Sequence, residues 1–316
     1  MRKTLPALIA AVSLLVLIPL IFPHLKFVIT LAVAKGFAAL GVALLLRGGL
    51  ISLGHAMYFA IGAYATAFLS EKAGITDLAL LLIASTLVAA LAGAVFGAFL
   101  VRYRAIFFAM LNLAVSMVIF ALSSKLYGLT GGTDGMRVAV PTIFGWAPGK
   151  PAFDNLLFPL CLTLMVVVGW LVYRYMRSPL GHALSAIHTN EVRLEYLGVS
   201  AWSTLLSAYT ISAALAGLGG AIAAMSIGHV LPEFAFWTES GHLVLTAVLG
   251  GVGGVAGPFV GSVFLELLHT VAVGYAADAW NLITGVALIA VIFFLPRGLY
   301  GLFETRRIQT GKEADQ

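Results

Sequence analysis

Residues 27–46 read Phe-Val-Ile-Thr-Leu-Ala-Val-Ala-Lys-Gly-Phe-Ala-Ala-Leu-Gly-Val-Ala-Leu-Leu-Leu, and after Arg47 comes Gly48-Gly49-Leu50-Ile51-Ser52-Leu53-Gly54-His55. The first run has the length a helix needs to cross a bilayer core, about 20 residues. The octet after it is not a plain continuation, because adjacent glycines permit φ > 0 and weaken a helix. Apolar sequence then resumes and reaches Phe68-Leu69. Broken backbone between apolar runs predicts a polytopic bundle, since irregular chain at membrane depth is tolerated only inside protein or beside a cavity.

The rest of the chain agrees. Of 316 residues, 61% are hydrophobic and 10% charged, with a mean hydropathy of +1.04. A soluble domain carries roughly 25% charged residues. A water-exposed surface could not be covered at this density, which excludes a cytosolic enzyme, a disordered chain and a nucleic-acid module. The fold class is therefore an all-α polytopic membrane protein. Ten spans are expected, near 4–22, 27–46, 50–69, 78–101, 105–123, 156–173, 204–227, 241–256, 258–274 and 279–295. They form a single transmembrane domain over 1–303, followed by a short polar tail over 304–316. The first span resembles a signal peptide in having Arg2 and Lys3 ahead of an apolar stretch. Pro19, Phe22, Pro23 and His24 offer no small-x-small cleavage site, so a retained span is expected.

Basic residues set the orientation. With the N-terminus inside, twelve fall on the cytoplasmic side: Arg2, Lys3, Arg47, Arg102, Arg104, Arg174, Arg177, Arg193, Arg297, Arg306, Arg307 and Lys312. Five fall outside: Lys26, Lys72, Lys125, Arg137 and Lys150, with Lys35 inside a span. Both termini are thus expected in the cytoplasm, residues 174–203 as a cytoplasmic loop and 124–155 as a periplasmic one.

A second glycine cluster, Gly250-Gly251-Val252-Gly253-Gly254-Val255-Ala256-Gly257-Pro258, breaks the eighth span. Spans 2–5 and 7–10 start from opposite faces, and each set has a glycine-interrupted second member, the pattern of inverted repeats around a central pathway. The plainer reading is close helix packing through small residues. The pathway expectation covers Gly49, Ser52, Gly54, His55, Phe59, Asn112, Gly250, Gly251, Gly253 and Gly254.

Catalytic and metal patterns fail. There is no phosphate-binding GxxxxGK[ST] loop, no HExxH, and no CxxC, since Cys161 is the single cysteine. Gly251-x-Gly253-x-x-Ala256 fits a permissive dinucleotide fingerprint but has no βαβ unit around it. No general acid–base pair stands out, so no enzymatic activity and no metal are expected. His55, His242 and His269 stand alone and read as packed or interfacial histidines.

The loop over 174–203 is the one sizeable inner loop. Pro179 suits a first helical turn, Leu184 and Ile187 share a face, Asn190 can cap a second short helix with Glu191 at its positive end, and Gly198 can terminate it. Two short amphipathic helices suggest a docking surface for a cytosolic partner, or an interfacial loop packing its own apolar stripe.

Several motifs occur in an order that resembles the permease subunit of branched-chain amino acid ABC importers, the LivM type. They are Gly-Leu-Ile-Ser-Leu-Gly-His-Ala at 49–56 with Phe59-x-x-Gly62-Ala-Tyr64, Phe-Ala-Met-Leu at 108–111 and Leu129-Thr-Gly-Gly-Thr-Asp-Gly135. The loop at 181–198, Leu249-Gly-Gly-Val-Gly with Gly257-Pro258 and Gly261, and Phe-Leu-Pro-Arg-Gly-Leu at 294–299 follow. The resemblance implies a subunit in the bacterial inner membrane that moves branched-chain or similar small amino acids. It implies a second permease of the LivH type, two ATPase subunits and a periplasmic binding protein. No cofactor would reside in this chain, because ATP would be bound by the partner subunits. Gly181, Ala183, Ala186, Ile187, Asn190, Glu191, Arg193, Glu195 and Gly198 would couple to the ATPases. Thr130, Gly131, Gly132, Asp134 and Gly135 would serve an outer gate or docking of the binding protein.

Urea, short amides or aromatic acids remain open as ligands. A self-sufficient secondary transporter remains open as a mechanism, with Lys35 and Glu266 as coupling groups. Those two residues lie near the middle of their spans, where an isolated charge costs roughly 2.5–3.5 kcal/mol on insertion scales. Pairing inside the bundle would lower that cost, while a snorkelling Lys35 is the alternative.

The orientation is directly testable. A membrane-impermeant thiol reagent applied from the periplasmic side should label Thr133→Cys and spare Ser185→Cys; the reverse preference would invert the topology.

Overall fold

The computed structural model describes residues 25–143, 145–275, 280–295 and 298–301. The expected first span at 4–22 and the tail at 304–316 lie outside the described residues. Eleven helices follow in chain order: α1 (Leu25–Arg47), α2 (Ala56–Glu71), α3 (Leu78–Leu100), α4 (Ala105–Lys125), α5 (Tyr127–Thr130), α6 (Lys150–Met176), α7 (Pro179–Tyr196), α8 (Ala201–Ile227), α9 (Trp237–Gly250), α10 (Ala256–Tyr275) and α11 (Trp280–Phe294). A two-stranded antiparallel ribbon, β1 (Met136–Arg137) with β2 (His229–Val230), pairs Met136 with Val230 and Arg137 with His229. The end of the bundle that carries α7 is here the inner end, and the end that carries the ribbon the outer.

Local signals explain many boundaries. Asp77 Oδ1 accepts the amides of Ala79 and Leu80 at 3.0 and 3.2 Å and starts α3. Ser200 Oγ accepts from Ser203 N at the start of α8. Gly228, at φ +79°, ends α8 in the left-handed conformation that favours glycine.

Among the described residues six helices are long and apolar enough to cross a membrane: α1, α3, α4, α6, α8 and α10. This corrects the expectation of ten full spans. The predicted spans at 50–69, 241–256 and 279–295 are helices of 16, 14 and 15 residues. At 1.5 Å per residue these reach only about 21–24 Å, short of a ~30 Å hydrocarbon core. Hydropathy ran across the breaks because the irregular stretches are themselves apolar.

Helices α1 and α8 form the centre and are almost wholly buried, while α3 and α4 turn most of their surface outward. Lipid tails are as apolar as leucine, so helices in a membrane associate through close packing rather than the hydrophobic effect. The glycines of α8 make that approach possible. A Cβ on Gly219 would lie 2.2 Å from the Ala34 carbonyl oxygen of α1, and one on Gly220 would lie 1.9 Å from the Phe59 carbonyl oxygen of α2. Gly62 of α2 faces the Gly217 carbonyl in the same way, at 2.2 Å. The outward faces of α3 and α4 carry exposed Leu87, Leu91, Val95, Phe107 and Met110.

The short helices α2 and α9 both begin in the interior. Ala56 N, at the start of α2, donates to Ser240 Oγ in the first turn of α9 at 2.9 Å. From this meeting point α2 runs to the outer end, where Lys72 Nζ donates to the carbonyls of Gly128 and Leu129. Helix α9 runs the other way, to the inner end, where the Gly250 carbonyl accepts from Tyr300 N.

Contact at α8 should be unforgiving. Gly220→Ala should destabilise the bundle by ~1–3 kcal/mol through overpacking. Gly241→Ala, whose Cβ would meet nothing within 4 Å, should not. Thermal unfolding in detergent separates the two, and equal melting temperatures would refute the packing account.

Candidate functional site

The break between α1 and α2 places polar groups in the core. Gly49 adopts φ +78°, and the chain then runs without helix to Ser52 before α2 starts at Ala56. Ser52, His55, Asn112, Ser212 and Ser240 are each fully buried. An unpaired polar group there costs about 1–3 kcal/mol, so every one must find a partner.

They find one another. Tyr58 OH donates to Tyr209 OH at 3.0 Å, Tyr209 OH donates to Asn112 Oδ1 at 3.2 Å, and Asn112 Nδ2 donates to Ser52 Oγ at 2.9 Å. Ser52 Oγ lies 3.3 Å from His55 Nδ1, and His55 Nε2 lies 3.2 Å from the Ser212 carbonyl and 3.0 Å from Ser212 Oγ. One proton arrangement serves the whole chain: Ser52 donates to Nδ1 of a neutral imidazole whose Nε2–H faces Ser212. The knot joins the α1–α2 break, α2, α4 and α8, and Ala56 N adds α9 through Ser240. Gly54 completes it by close approach, since a Cβ there would lie 2.1 Å from the Asn112 carbonyl oxygen. The structure thus brings Gly54, Ser52, His55 and Asn112 together. Phe59 stands beside them, its ring 5.8 Å from that of Phe234. Chemically the cluster is a closed network of mutually paired groups, called the plug below for its place in the core, and its members offer no free nucleophile or acid–base pair.

The second glycine cluster lies elsewhere, at the inner end. Gly251 has φ +100°, and a Cβ on Gly250 would sit 2.1 Å from the Gly257 carbonyl oxygen. Gly254 packs under the Tyr300 ring. Arg47, closing α1, donates to the carbonyls of Val252 and Gly253. These glycines have a local reason, a tight turn clamped to α1, and the plug does not include them.

Lys35 and Glu266 meet, with Lys35 Nζ 3.2 Å from Glu266 Oε2, bridging α1 and α10. Glu239, in the first turn of α9, also acts electrostatically on Lys35.

Helix α7 bends at Asn190, whose φ −162° and ψ 100° are extended. Ser178 Oγ accepts from Gly181 N and caps the first arm, behind Pro179. Asn190 Oδ1 accepts from Arg193 N at 2.9 Å and caps the second. Gly198, at φ +81°, ends it: Gly198 N donates to the Glu195 carbonyl and Val199 N to the Leu194 carbonyl. Gly181, Ala183, Leu184 and Ile187 are buried, Ala186 is half-buried, and Arg193 and Glu195 are exposed. Leu184 packs on Gly48, and His188 stands beside Gly49. Glu191, expected to face a partner, is engaged within the chain. Its carboxylate takes Arg104 Nη2 at 2.6 Å and Nε at 2.9 Å. Hydrogen bonding to that guanidinium holds the Glu191 carboxyl below its ordinary range.

At the outer end Gly131, Gly132 and Gly135 all have positive φ and fold a tight turn against β2. Thr130 Oγ1 donates to the Ser123 carbonyl, Asp134 accepts from Tyr127 OH at 3.2 Å, and the Asp134 carbonyl pairs with His229 Nε2.

Sequence reasoning missed Tyr58, Tyr209, Ser212 and Ser240, and passed over Arg104 and Arg47 as topology signals. Polar Asn112 and Ser116, four apart in an apolar helix, were the available hint of a polar interior face.

The family described as the branched-chain amino acid transport system permease component matches residues 25–292. The chain is 29% identical over 272 residues to the high-affinity branched-chain amino acid transport system permease protein LivM of Escherichia coli K12, covering 79% of this chain and 64% of LivM. It is 27% identical over 192 residues to the LivH permease of the same organism, covering 56% and 60%. It is 24% identical over 279 residues to BraD of Pseudomonas aeruginosa, covering 82% and 89%. The chain therefore spans less than two thirds of the length of LivM and LivH. No solved structure matches.

The plug predicts a mutational signature. Asn112→Ala strips Tyr209 and Ser52 of a shared partner and should cost about 1–3 kcal/mol. Thermal unfolding reads it, and an unchanged midpoint would show the network to be incidental. For the intramembrane pair, Lys35→Met and Glu266→Gln should each lower stability, and the double variant should recover part of the loss. Additive losses would show that the two charges do not act as a pair.

Proposed function

The chain belongs to the family of branched-chain amino acid transport system permease components, and from that premise we propose that it is one of two permease subunits of a bacterial inner-membrane ABC importer. Its ligands are branched-chain or similar small amino acids. Its partners are a LivH-type permease, two ATPase subunits and a periplasmic binding protein, and both its termini lie in the cytoplasm.

The observation that carries this reading is the seat of α7. The first arm rests on Gly48 and Gly49, and Ser52 of the plug follows only three residues later. A pull on α7 reaches the plug through a short stretch of non-helical chain. The second arm exposes Val192, Tyr196 and Leu197. That apolar knob, rather than the charge of Glu191, is what α7 offers to an ATPase. Opening the Ser52–Asn112 bond would unplug the bundle and let ligand pass.

The same geometry supports an inverted-repeat reading. Helices α1–α4 and α8–α11 each start with a long central helix that ends at a left-handed glycine, Gly49 or Gly228. Each then has a short helix beginning at the plug, and the two short helices run in opposite directions. On this reading the partner of the 48–55 break is 228–236, not the 250–258 cluster. The turn at 130–135 would receive the binding protein.

The rival is an ion-coupled carrier using Lys35 and Glu266. Purification from the native membrane decides between them. An importer subunit should bring ATPases and transport leucine only with ATP and loaded binding protein. Transport by the chain alone under an ion gradient would overturn the proposal. Within the importer, Gly198→Val should leave insertion intact and lower ATP-driven uptake several-fold, because its φ disfavours any Cβ. Normal uptake by that variant would remove the end of α7 from the coupling surface.

A further inference from the structure

Three observations at the inner end converge on one short contact. The first is the bidentate pair of Arg104 with Glu191, which ties the second arm of α7 to the residue just before α4. The second is Ala105, the first residue of α4, at φ +51°, the one non-glycine residue with positive φ among those described. That region crowds a Cβ, and such a residue persists only where its surroundings hold it. Arg104 does the holding, because its Nη1 also donates back to the carbonyls of Val101 and Tyr103. The third is the bend at Asn190, which separates the arm resting on Gly48 from the arm holding Arg104.

The two arms therefore grip opposite sides of one hydrogen bond. The first arm holds the segment that leads to Ser52. The second, through Arg104, holds the helix that carries Asn112, about two turns along α4. Asn190 Oδ1 bonds only within its own arm, so the arms can turn about residue 190 without losing that cap.

We propose that Arg104 and Glu191 form a latch that keeps α4 in the plugged position, and that movement of the second arm of α7 opens the plug by releasing it. Arg104 is a positioning residue: it touches no ligand and acts through α4. Release lets the left-handed start of α4 relax and turns Asn112 away from Ser52. The proposal rests on the importer reading above and adds to it the route from α7 to the plug.

Charge reversal and restoration test the latch in the assembled importer, by measuring leucine taken up per ATP hydrolysed. Arg104→Glu and Glu191→Arg should each cut that ratio by about tenfold while ATP hydrolysis continues, and the double reversal should recover part of it, since a glutamate at 104 restores the ion pair but not the bonds to the Val101 and Tyr103 carbonyls. Arg104→Lys keeps the charge but loses the two-pronged geometry and should lower the ratio about threefold. A double variant no better than the singles would overturn the latch. So would loss of coupling in Glu191→Arg with normal coupling in Arg104→Glu, which would mean that Glu191 acts on the ATPase directly. If the single reversals fail to assemble, Arg104→Lys decides alone, and an unchanged ratio overturns the latch. A wild-type assembly that hydrolyses no ATP overturns the importer reading instead.

Discussion

The hydrogen bond from Asn112 to Ser52 stands at the point on which the bundle turns. Around it two helices begin in the interior, a histidine is fully enclosed, and four helices contribute polar atoms. None of this would be stable with one partner missing, because no water at membrane depth replaces a lost bond. The need to pair the buried groups of this cluster holds α2, α4, α8 and α9 in a single relative arrangement. A network built this way is stable while complete and loses mutual support once its central bond opens.

The same constraint shapes the scaffold around it. Helices α1 and α8 carry the centre through glycine and alanine, so backbones touch at Gly219 and Gly220 and the plug is held at a fixed depth. Large apolar side chains fill the core beside them, Phe37, Leu40 and Leu44 of α1 among them, and others cover the outward faces of α3 and α4. Lys35 pairs with Glu266 between α1 and α10, and that ion pair ties the first half of the chain to the second.

At the inner end, α7 is the one long polar element among the described residues. It holds one side of the plug through Gly48 and the other through Arg104. Its exposed surface includes the apolar knob of Val192, Tyr196 and Leu197 beside Arg193 and Glu195. An element anchored at two places within the chain can turn a push from outside into a relative movement of two helices.

The sequence by itself determined the membrane class, the positions of the long helices and the local ends of α7. Hydropathy, Asn190 as a cap and Gly198 as a terminator all act within a few residues, so their signals are written next to one another. The pairing of Lys35 with Glu266 was legible as one of two options, beside a snorkelling Lys35, because both charges fall near the middle of their spans. Tertiary structure alone decided the rest. The 48–55 octet was legible as a break and 228–236 lay between expected spans, but only their neighbours show that α2 and α9 begin inside. Glu191 and Arg104 are 87 residues apart, as the chain runs, with no shared period to link them. Tyr58, Tyr209 and Ser240 each look ordinary in an apolar helix. What makes them a plug is the closure of hydrogen bonds between helices far apart in the chain, and that closure exists only once the small residues of α8 have let the backbones meet.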